Sequence, residues 1–508
     1  MFFPFTAYLR IIQNQCINKK KKNYLMHQKR RDFYMTSNQQ QRDNIVDVIR
    51  TLFKQREDGV AVSRANHDSI TYSELLKKVE KQENKLAEIG FKPHDRVALF
   101  CEDSVEYIVM ALAILGTNAV IVPVSPSLSS NELVSLCKRI KVRYLVSEKE
   151  FKNYSVISKE HNDKLYIYNI NKDIKYSKEY MLVDSPAFIR FSSGTTGTSK
   201  GVLLTHRAII DRTAAADAIL NISSTDTIGW FLSMSFHFVV SILLFLQKGA
   251  HIVLAQDNFP AGILNSFEIN KPTFMYASPF HYNMLVTNNN ISKDILSDVR
   301  MAVVTAVSLN KKTDKDFFKK FKIHLSQAYG IIEVGLPFIN NRFDDEYVCS
   351  VGKILPGYDL KIKKPDDNGQ GDILLRGKGM YHAYISPWKK RTQWFDTGDI
   401  GYLKESYLFI SGRSKNVINF AGMKIFPEEV EEVLLTYDNI AEARVYAQQH
   451  DLYGQLPIAE LVMKDNVKFD ILELKKHCLK KLDTYKIPKE FIQVESIKKT
   501  HSNKIMRT

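Results

Sequence analysis

Residues 191–202 read FSSGTTGTSKGV. Three glycines, Gly194, Gly197 and Gly201, let backbone N–H groups approach an anion closely. Six hydroxyls, on Ser192, Ser193, Thr195, Thr196, Thr198 and Ser199, can donate to phosphate oxygens, and Lys200 adds a compact point charge. Together these residue types predict a cradle for polyphosphate. The spacing is neither the G-x-x-x-x-G-K-S/T of a P-loop nor the G-x-G-x-x-G of a dinucleotide turn. The bland alternative is a polar surface turn.

Further along the chain stand other groups able to do chemistry: Tyr329-Gly330-Ile331-Ile332-Glu333, Thr397-Gly398-Asp399, Gly412-Arg413-Ser414-Lys415 followed by NVINFAGMKIFPEEVE, and Lys504 within KTHSNKIMR. An ionised aspartate only accepts hydrogen bonds and an arginine only donates them in a planar fork. His237 interrupts the apolar run MSFHF. Taken alone, it reads as a satisfied interior histidine.

These residues need rigid elements to hold them. AFIRF before the glycine loop reads as a strand, and THRAIIDRTAAADAIL after it as a helix with Thr205 as N-cap. Residues 46–57 and 73–90 carry apolar residues at helical spacing, and AVSRANHDSITY between them reads as a hairpin. RVALFCED, AVIVPVSP and VRYLVSEKE read as short buried strands separated by helix-length segments such as VEYIVMALAILGT, a largely parallel α/β pattern. TIGWFLSM, HIVLAQ, FMYASP and VRMAVVTA repeat the alternation, which predicts more than one sheet. Beyond residue 345 short strands and turns take over, as in YDLKIKKPDDNGQGDILLRG. From Gly412 a small α+β region follows, with helices at PEEVEEVLLTY and FDILELKKHCLKKL. The expected fold class is therefore α/β: a large N-terminal multi-sheet α/β domain over 36–411 and a small, mobile α+β C-terminal domain over 412–508, with 1–35 a basic leader or an upstream-start artefact.

Length and composition agree with this. The 508 residues, 44% hydrophobic and 25% charged, exceed what one ordinary core holds and exclude a fibrous or disordered chain. The formal charge of +15 would suit a polyanion partner, but residues 1–40 carry +7 of it, and the +8 left over the long body implies no nucleic-acid partner. Five scattered cysteines, Cys16, Cys101, Cys137, Cys349 and Cys478, form no C-x-x-C pair, which points away from structural zinc or a disulfide framework and towards a cytoplasmic location. The most apolar stretch, Trp230 to Gly249, contains serines and a histidine and predicts a buried helix, not a transmembrane span. Peripheral membrane contact stays open through the basic leader.

The ordered motifs resemble those of the adenylate-forming (AMP-binding) superfamily, in its acyl-CoA synthetase, or fatty-acid:CoA ligase, branch, over residues 45 to 507. The resemblance implies ATP and magnesium, with CoA as co-substrate. It implies that Ser192, Ser193, Gly194, Thr195, Thr196 and Gly197 wrap the nucleotide phosphates and that Lys200 pairs with them. Tyr329 would lie near adenine, Glu333 and Thr196 would hold the metal, and Asp399 and Arg413 would take the ribose. Lys415 would be the hinge of the small domain, Gly422 would line the thiol channel, Lys504 would serve adenylation, and His237 would border the acyl pocket. Amino-acid-activating relatives usually carry aspartate at that last place, so an amino-acid substrate is disfavoured.

Four departures from the pattern stand out: Ser199 for proline, Ile332 for threonine, Thr305-Ala306-Val307-Ser308 for a glycine-rich run, and Asn503 for glycine. They leave every principal charged group in place. The expected activity is ATP-dependent conversion of a carboxylic acid, with a fatty acid first, to an acyl-adenylate and then to its CoA thioester. The alternatives are loading of an acyl or aryl carrier protein, and nucleotide binding without turnover.

Overall fold

The computed structural model describes residues 44–64, 68–160, 164–191, 200–255, 261–305, 308–421, 423–451, 453–464, 470–499 and 505–506. Two nine-stranded sheets form most of the large N-terminal part. One runs, in spatial order, Lys353–Ile354, Gly335–Ile339, Leu325–Ile331, Met301–Val304, Phe274–Ala277, Thr227–Trp230, His251–Leu254, Val60–Arg64 and Ser69–Thr71. The other runs Lys389–Lys390, Ala383–Ile385, Gly201–Thr205, Pro186–Phe191, Val120–Pro123, Arg96–Phe100, Tyr144–Ser147, Leu165–Asn169 and Val156–Glu160. Both are parallel at the centre and antiparallel at the edges.

Alternation along each strand explains the layering, because successive side chains point to opposite faces. Val97 and Leu99 join one large core with Ile252 and Leu254 of the other sheet and with helices Ile45–Gln55, Tyr72–Ile89, Val105–Gly116 and His206–Leu220. Ala98 and Phe100 turn outward to a second core under helix Ser130–Arg139. Val253, Met275 and Ala302 turn outward to a third, under helices Ala261–Ile269, Pro279–Thr287 and Lys311–Phe321. Of these helices Val105–Gly116 is apolar nearly all round, with nine consecutive buried residues, while Ile45–Gln55 and Tyr72–Ile89 turn one apolar face to the core.

A four-stranded antiparallel sheet, Tyr358–Lys363, Gly371–Gly377, Phe395–Lys404 and Tyr407–Arg413, closes this part of the molecule. The last sheet has a core of its own and comprises Met423–Ile425, Ile418–Phe420, Gly454–Met463, Ile440–His450 and Glu490–Gln493. Helices Pro427–Leu434 and Ile471–Leu479 pack on it. The architecture is a large N-terminal multi-sheet α/β part followed by a smaller C-terminal α+β one. Cys101, Cys137, Cys349 and Cys478 are free thiols, and among the described residues no helix is long and apolar enough to cross a membrane.

Two local readings need correction. The helix with Thr205 as N-cap is as expected, but a strand not read from the sequence, Gly201–Thr205, precedes it and pairs antiparallel with Pro186–Phe191. Five residues of apolar GVLLT fit either state by pattern, and pairing with two neighbouring strands decides for extended backbone. The helix begins at His206, where the Thr205 side chain caps the Ala208 N–H. The Trp230–Gly249 stretch is also not one uniform helix. Trp230 ends a strand, and Met234–His237 and Leu243–Gln247 flank a π-helical turn, Phe238–Ile242.

Candidate active site

A cleft of about 2990 Å³ opens where the two large sheets, the four-stranded sheet and the C-terminal part meet. It is several times the roughly 300–1,000 Å³ of a single small-molecule pocket. Lys200, His237, Tyr329, Glu333, Asp399, Arg413 and Lys415 all line it. Ser192, Ser193, Gly194, Thr195, Thr196, Gly197, Gly422 and Lys504 lie outside the described residues, as do residues 1–43, Ala306, Val307 and Asn503. Thr305 and Ser308, which bracket the altered run, line the cleft.

The Asp399–Arg413 pair follows from strand register. The two residues are cross-strand partners in the Phe395–Lys404/Tyr407–Arg413 hairpin. Arg413 Nε reaches Asp399 Oδ1 at 2.6 Å, and Arg413 Nη1 donates to the Thr397 carbonyl at 3.3 Å. The Asp399 N–H donates to Thr397 Oγ1, and the Tyr329 hydroxyl donates to Asp399 Oδ2. Burial, reinforced by the Asp399 carboxylate, pushes the Tyr329 hydroxyl far above its ordinary pKa, so it stays a proton donor. Asp399 is 4% exposed whereas the Arg413 side chain is 47% exposed, which leaves the guanidinium facing the cleft.

Glu333 sits on the turn between strands Leu325–Ile331 and Gly335–Ile339 and reaches across to the other sheet. Its Oε1 accepts from Tyr384 Oη at 2.9 Å. Burial pushes its carboxyl upward, while the Tyr384 hydrogen bond and the charges of Arg190 and Arg413 pull it back. Lys200 Nζ lies 5.2 Å from the Tyr384 ring centroid. Magnesium is usually held by one or two carboxylates together with substrate phosphates. The Glu333 carboxylate, on the same cleft as Lys200, fits an ion shared with phosphate.

His237 ends the helical turn before the π-helix, with its ring edge-on to Trp230 and Tyr276 at 6.3 and 6.4 Å. Of the apolar residues around it, Phe231, Phe236 and Val239 line the cleft, whereas Phe238 and Leu243 belong to the interior. Lys415 occupies a 3-10 turn, Ser414–Asn416, between the four-stranded sheet and the C-terminal sheet, and burial and Arg413 depress its pKa.

Two arginines in the site carry no motif. Arg212 is fully buried on helix His206–Leu220. It donates to the Gly379 carbonyl at 3.0 and 2.5 Å and to the Ile332 carbonyl at 3.2 Å, fixing the backbone beside Glu333. Arg190, the polar break in AFIRF, donates to the Phe236 carbonyl and lies 5.0 Å from the Phe236 ring centroid. Burial depresses both guanidinium groups to about 10. The signal for Arg212 was present in the sequence, since it shares a helical stripe with Ile209, Thr213, Ala216 and Leu220. Arg190 had no such signal beyond being a charge inside an apolar strand.

Known proteins resemble this chain over most of its length. The AMP-binding enzyme family model matches residues 50–385, and the AMP-binding enzyme C-terminal domain matches 429–504. The 2-succinylbenzoate–CoA ligase of Bacillus subtilis is 26% identical over 86% of this chain and 92% of its own, and 4-coumarate:CoA ligase 1 of Petunia hybrida is 26% identical over 88% and 89%. A human mitochondrial medium-chain acyl-CoA ligase is 23% identical over 86% and 82%. Among solved structures, ATP-bound MatB from Rhodopseudomonas palustris superposes with a TM-score of 0.77 at 20% identity, covering 91% of this chain and 97% of that one. The o-succinylbenzoate CoA synthetase of Bacillus subtilis with its acyl-adenylate gives 0.77 at 21% identity over the same shares. The fold, the ordered motifs and a family model spanning most of the chain lead to one conclusion: this protein belongs to the AMP-binding enzyme family, whose CoA ligases use ATP, usually with magnesium, and CoA.

Proposed function

We propose that the chain joins a carboxylic acid to the thiol of CoA in two steps. In the first, a carboxylate oxygen bonds to the α-phosphorus of ATP, the bond from that phosphorus to the β-bridging oxygen breaks, and pyrophosphate leaves with the electron pair. In the second, the thiol gives its proton to solvent, its sulfur bonds to the acyl carbon, the bond from that carbon to the phosphate oxygen breaks, and AMP leaves with the electron pair. Two anions meet in the first step, so its catalysis consists of cancelling charge and aligning groups, without a general base. Lys200 and the 192–197 loop hold the β and γ phosphates, Asp399 and Arg413 take the ribose, and Tyr329 lies beside the adenine. Magnesium, when bound, screens phosphate charge next to Glu333 and Thr196.

The observation that carries this reading is the convergence of Lys200, Glu333, the Asp399–Arg413 pair and His237 on one cleft. His237 supplies no fixed negative charge for a substrate ammonium, and Phe231, Phe236 and Val239 offer apolar wall, so the acid carries a fatty or aryl tail. We assign 36–411 to the nucleotide and acid sites and 412–508 to a lid that swings about Lys415. The swing brings Lys504 to the α-phosphate for the first step and Gly422 to the thiol path for the second.

Carboxylate-dependent pyrophosphate exchange over a panel of fatty, aryl and amino acids tests the first step. Thioester detection with CoA and with a phosphopantetheine carrier tests the second. Lys504→Ala is expected to abolish exchange while still forming thioester from supplied acyl-adenylate; equal loss of both steps removes the lysine assignment. ATP binding without exchange for any acid removes the enzymatic reading.

A further inference from the structure

The row of side chains that crosses three adjacent strands of one large sheet ends in a cation pointed at the reaction centre. Arg190 pairs with Val202, and Val202 pairs with Tyr384, so all three side chains project from the same face. Glu333 comes over this row from the opposite sheet, with its carboxylate on Tyr384 and within electrostatic reach of Arg190. On its other side the Arg190 guanidinium is tied to the Phe236 carbonyl, one residue before His237. Arg190 therefore stands between the carboxylate on the phosphate side of the cleft and the segment on the acid side, and it lines the cleft itself.

The loop that carries Glu333 offers no hydroxyl at this junction. Ile332 packs its side chain on the large core and gives its carbonyl to Arg212. An arginine has five N–H donors in a planar fork, and the Phe236 carbonyl takes one. A fork in this place matches phosphate geometry better than a single point charge does.

We propose that Arg190 is a side-chain contact to the α-phosphate of the nucleotide, made from the large part of the chain and in addition to Lys504. This rests on the nucleotide site described under the proposed function. The arginine keeps its proton throughout: it offsets charge on the α-phosphate oxygens while the carboxylate oxygen bonds to phosphorus and pyrophosphate leaves. The Phe236 carbonyl and the Phe236 ring hold the guanidinium in place before any ligand arrives.

AMP and adenosine differ by this phosphate alone, and equilibrium binding of each to the full chain isolates the contact without knowledge of the acid. Arg190→Met keeps the side-chain length and removes the charge. It is expected to lower AMP affinity by about tenfold or more and to leave adenosine affinity unchanged, with Arg190→Lys falling between. Unchanged AMP affinity in Arg190→Met overturns the proposal. Parallel weakening of AMP and adenosine does so too, since it marks a purely structural arginine. A variant that only changes which acids support pyrophosphate exchange, with the AMP-to-adenosine ratio intact, also overturns it and moves Arg190 to the acid's tail. If the wild-type chain supports exchange with no acid, the proposed reaction falls while the AMP-to-adenosine comparison still decides the arginine.

Discussion

Tyr384 and Arg190 flank Glu333 and pull its proton affinity down, while burial pushes it up, with burial the largest contribution. The carboxylate at the heart of the cleft thus titrates above its usual range, and protonation removes the charge that would face a metal. Removing the Tyr384 donor takes away a hydrogen bond that favours the ionised form. Tyr384→Phe is therefore expected to move the acidic limb of the pH–rate profile for pyrophosphate exchange to higher pH. Glu333→Gln is expected to cut exchange about a hundredfold and to raise the magnesium concentration needed. A limb that stays put in Tyr384→Phe means another group sets it.

Helix His206–Leu220 and the strands around it show how elements, more than motifs, hold this carboxylate still. Arg212 ties Gly379 and Ile332 together from below, and a Cβ placed on Gly379 would lie 2.8 Å from Arg212 Cβ and 2.9 Å from its backbone N. Neither contact can yield without backbone movement. Gly379→Ala is expected to destabilise the fold by about 1–3 kcal/mol. It should also raise the KM for ATP, read from thermal unfolding and exchange kinetics together. The same elements explain what could be read beforehand. Gly194, Gly197, Asp399 and Arg413 announce themselves because their chemistry is bunched along the chain, and Thr205 because capping is local. The Arg190–Val202–Tyr384 row does not, since hydrogen-bonded register joins residues far apart in sequence. Nor does the π-turn at Phe238–Ile242, whose apolar pattern is that of any buried helix.

At the scale of the whole molecule, three histidines, fully buried His206 and half-buried His251 and His281, lower stability as acid is added. Burial pushes His206 down to about 3 and His251 and His281 to about 4, so all three are neutral in the native state at pH 5. Unfolded histidine binds its proton below about pH 6.5, so between there and pH 4 the unfolded chain holds more protons and stability falls as pH drops. Each site contributes up to about 1.4 kcal/mol per pH unit. Carboxyls that burial pushes up act oppositely: Glu83, raised to about 7, and with it Asp95, Glu148, Glu333 and Glu432. His206→Gln is expected to make the urea midpoint fall less, or rise more, between pH 7 and pH 5 than it does in the wild-type chain. An identical slope in that variant would show that His206 takes no part.

Strand Val60–Arg64 lies in parallel register with His251–Leu254, Val62 beside Ile252. A ribosome adding roughly 5–20 residues per second emits the first of these strands tens of seconds, at the slower end, before the second. Until then its only sheet partner is the short strand Ser69–Thr71, and the other edge has bare N–H and C=O groups. Birth of this protein thus includes an interval in which a sticky ribbon waits for its mate, and holdase chaperones would find their client there.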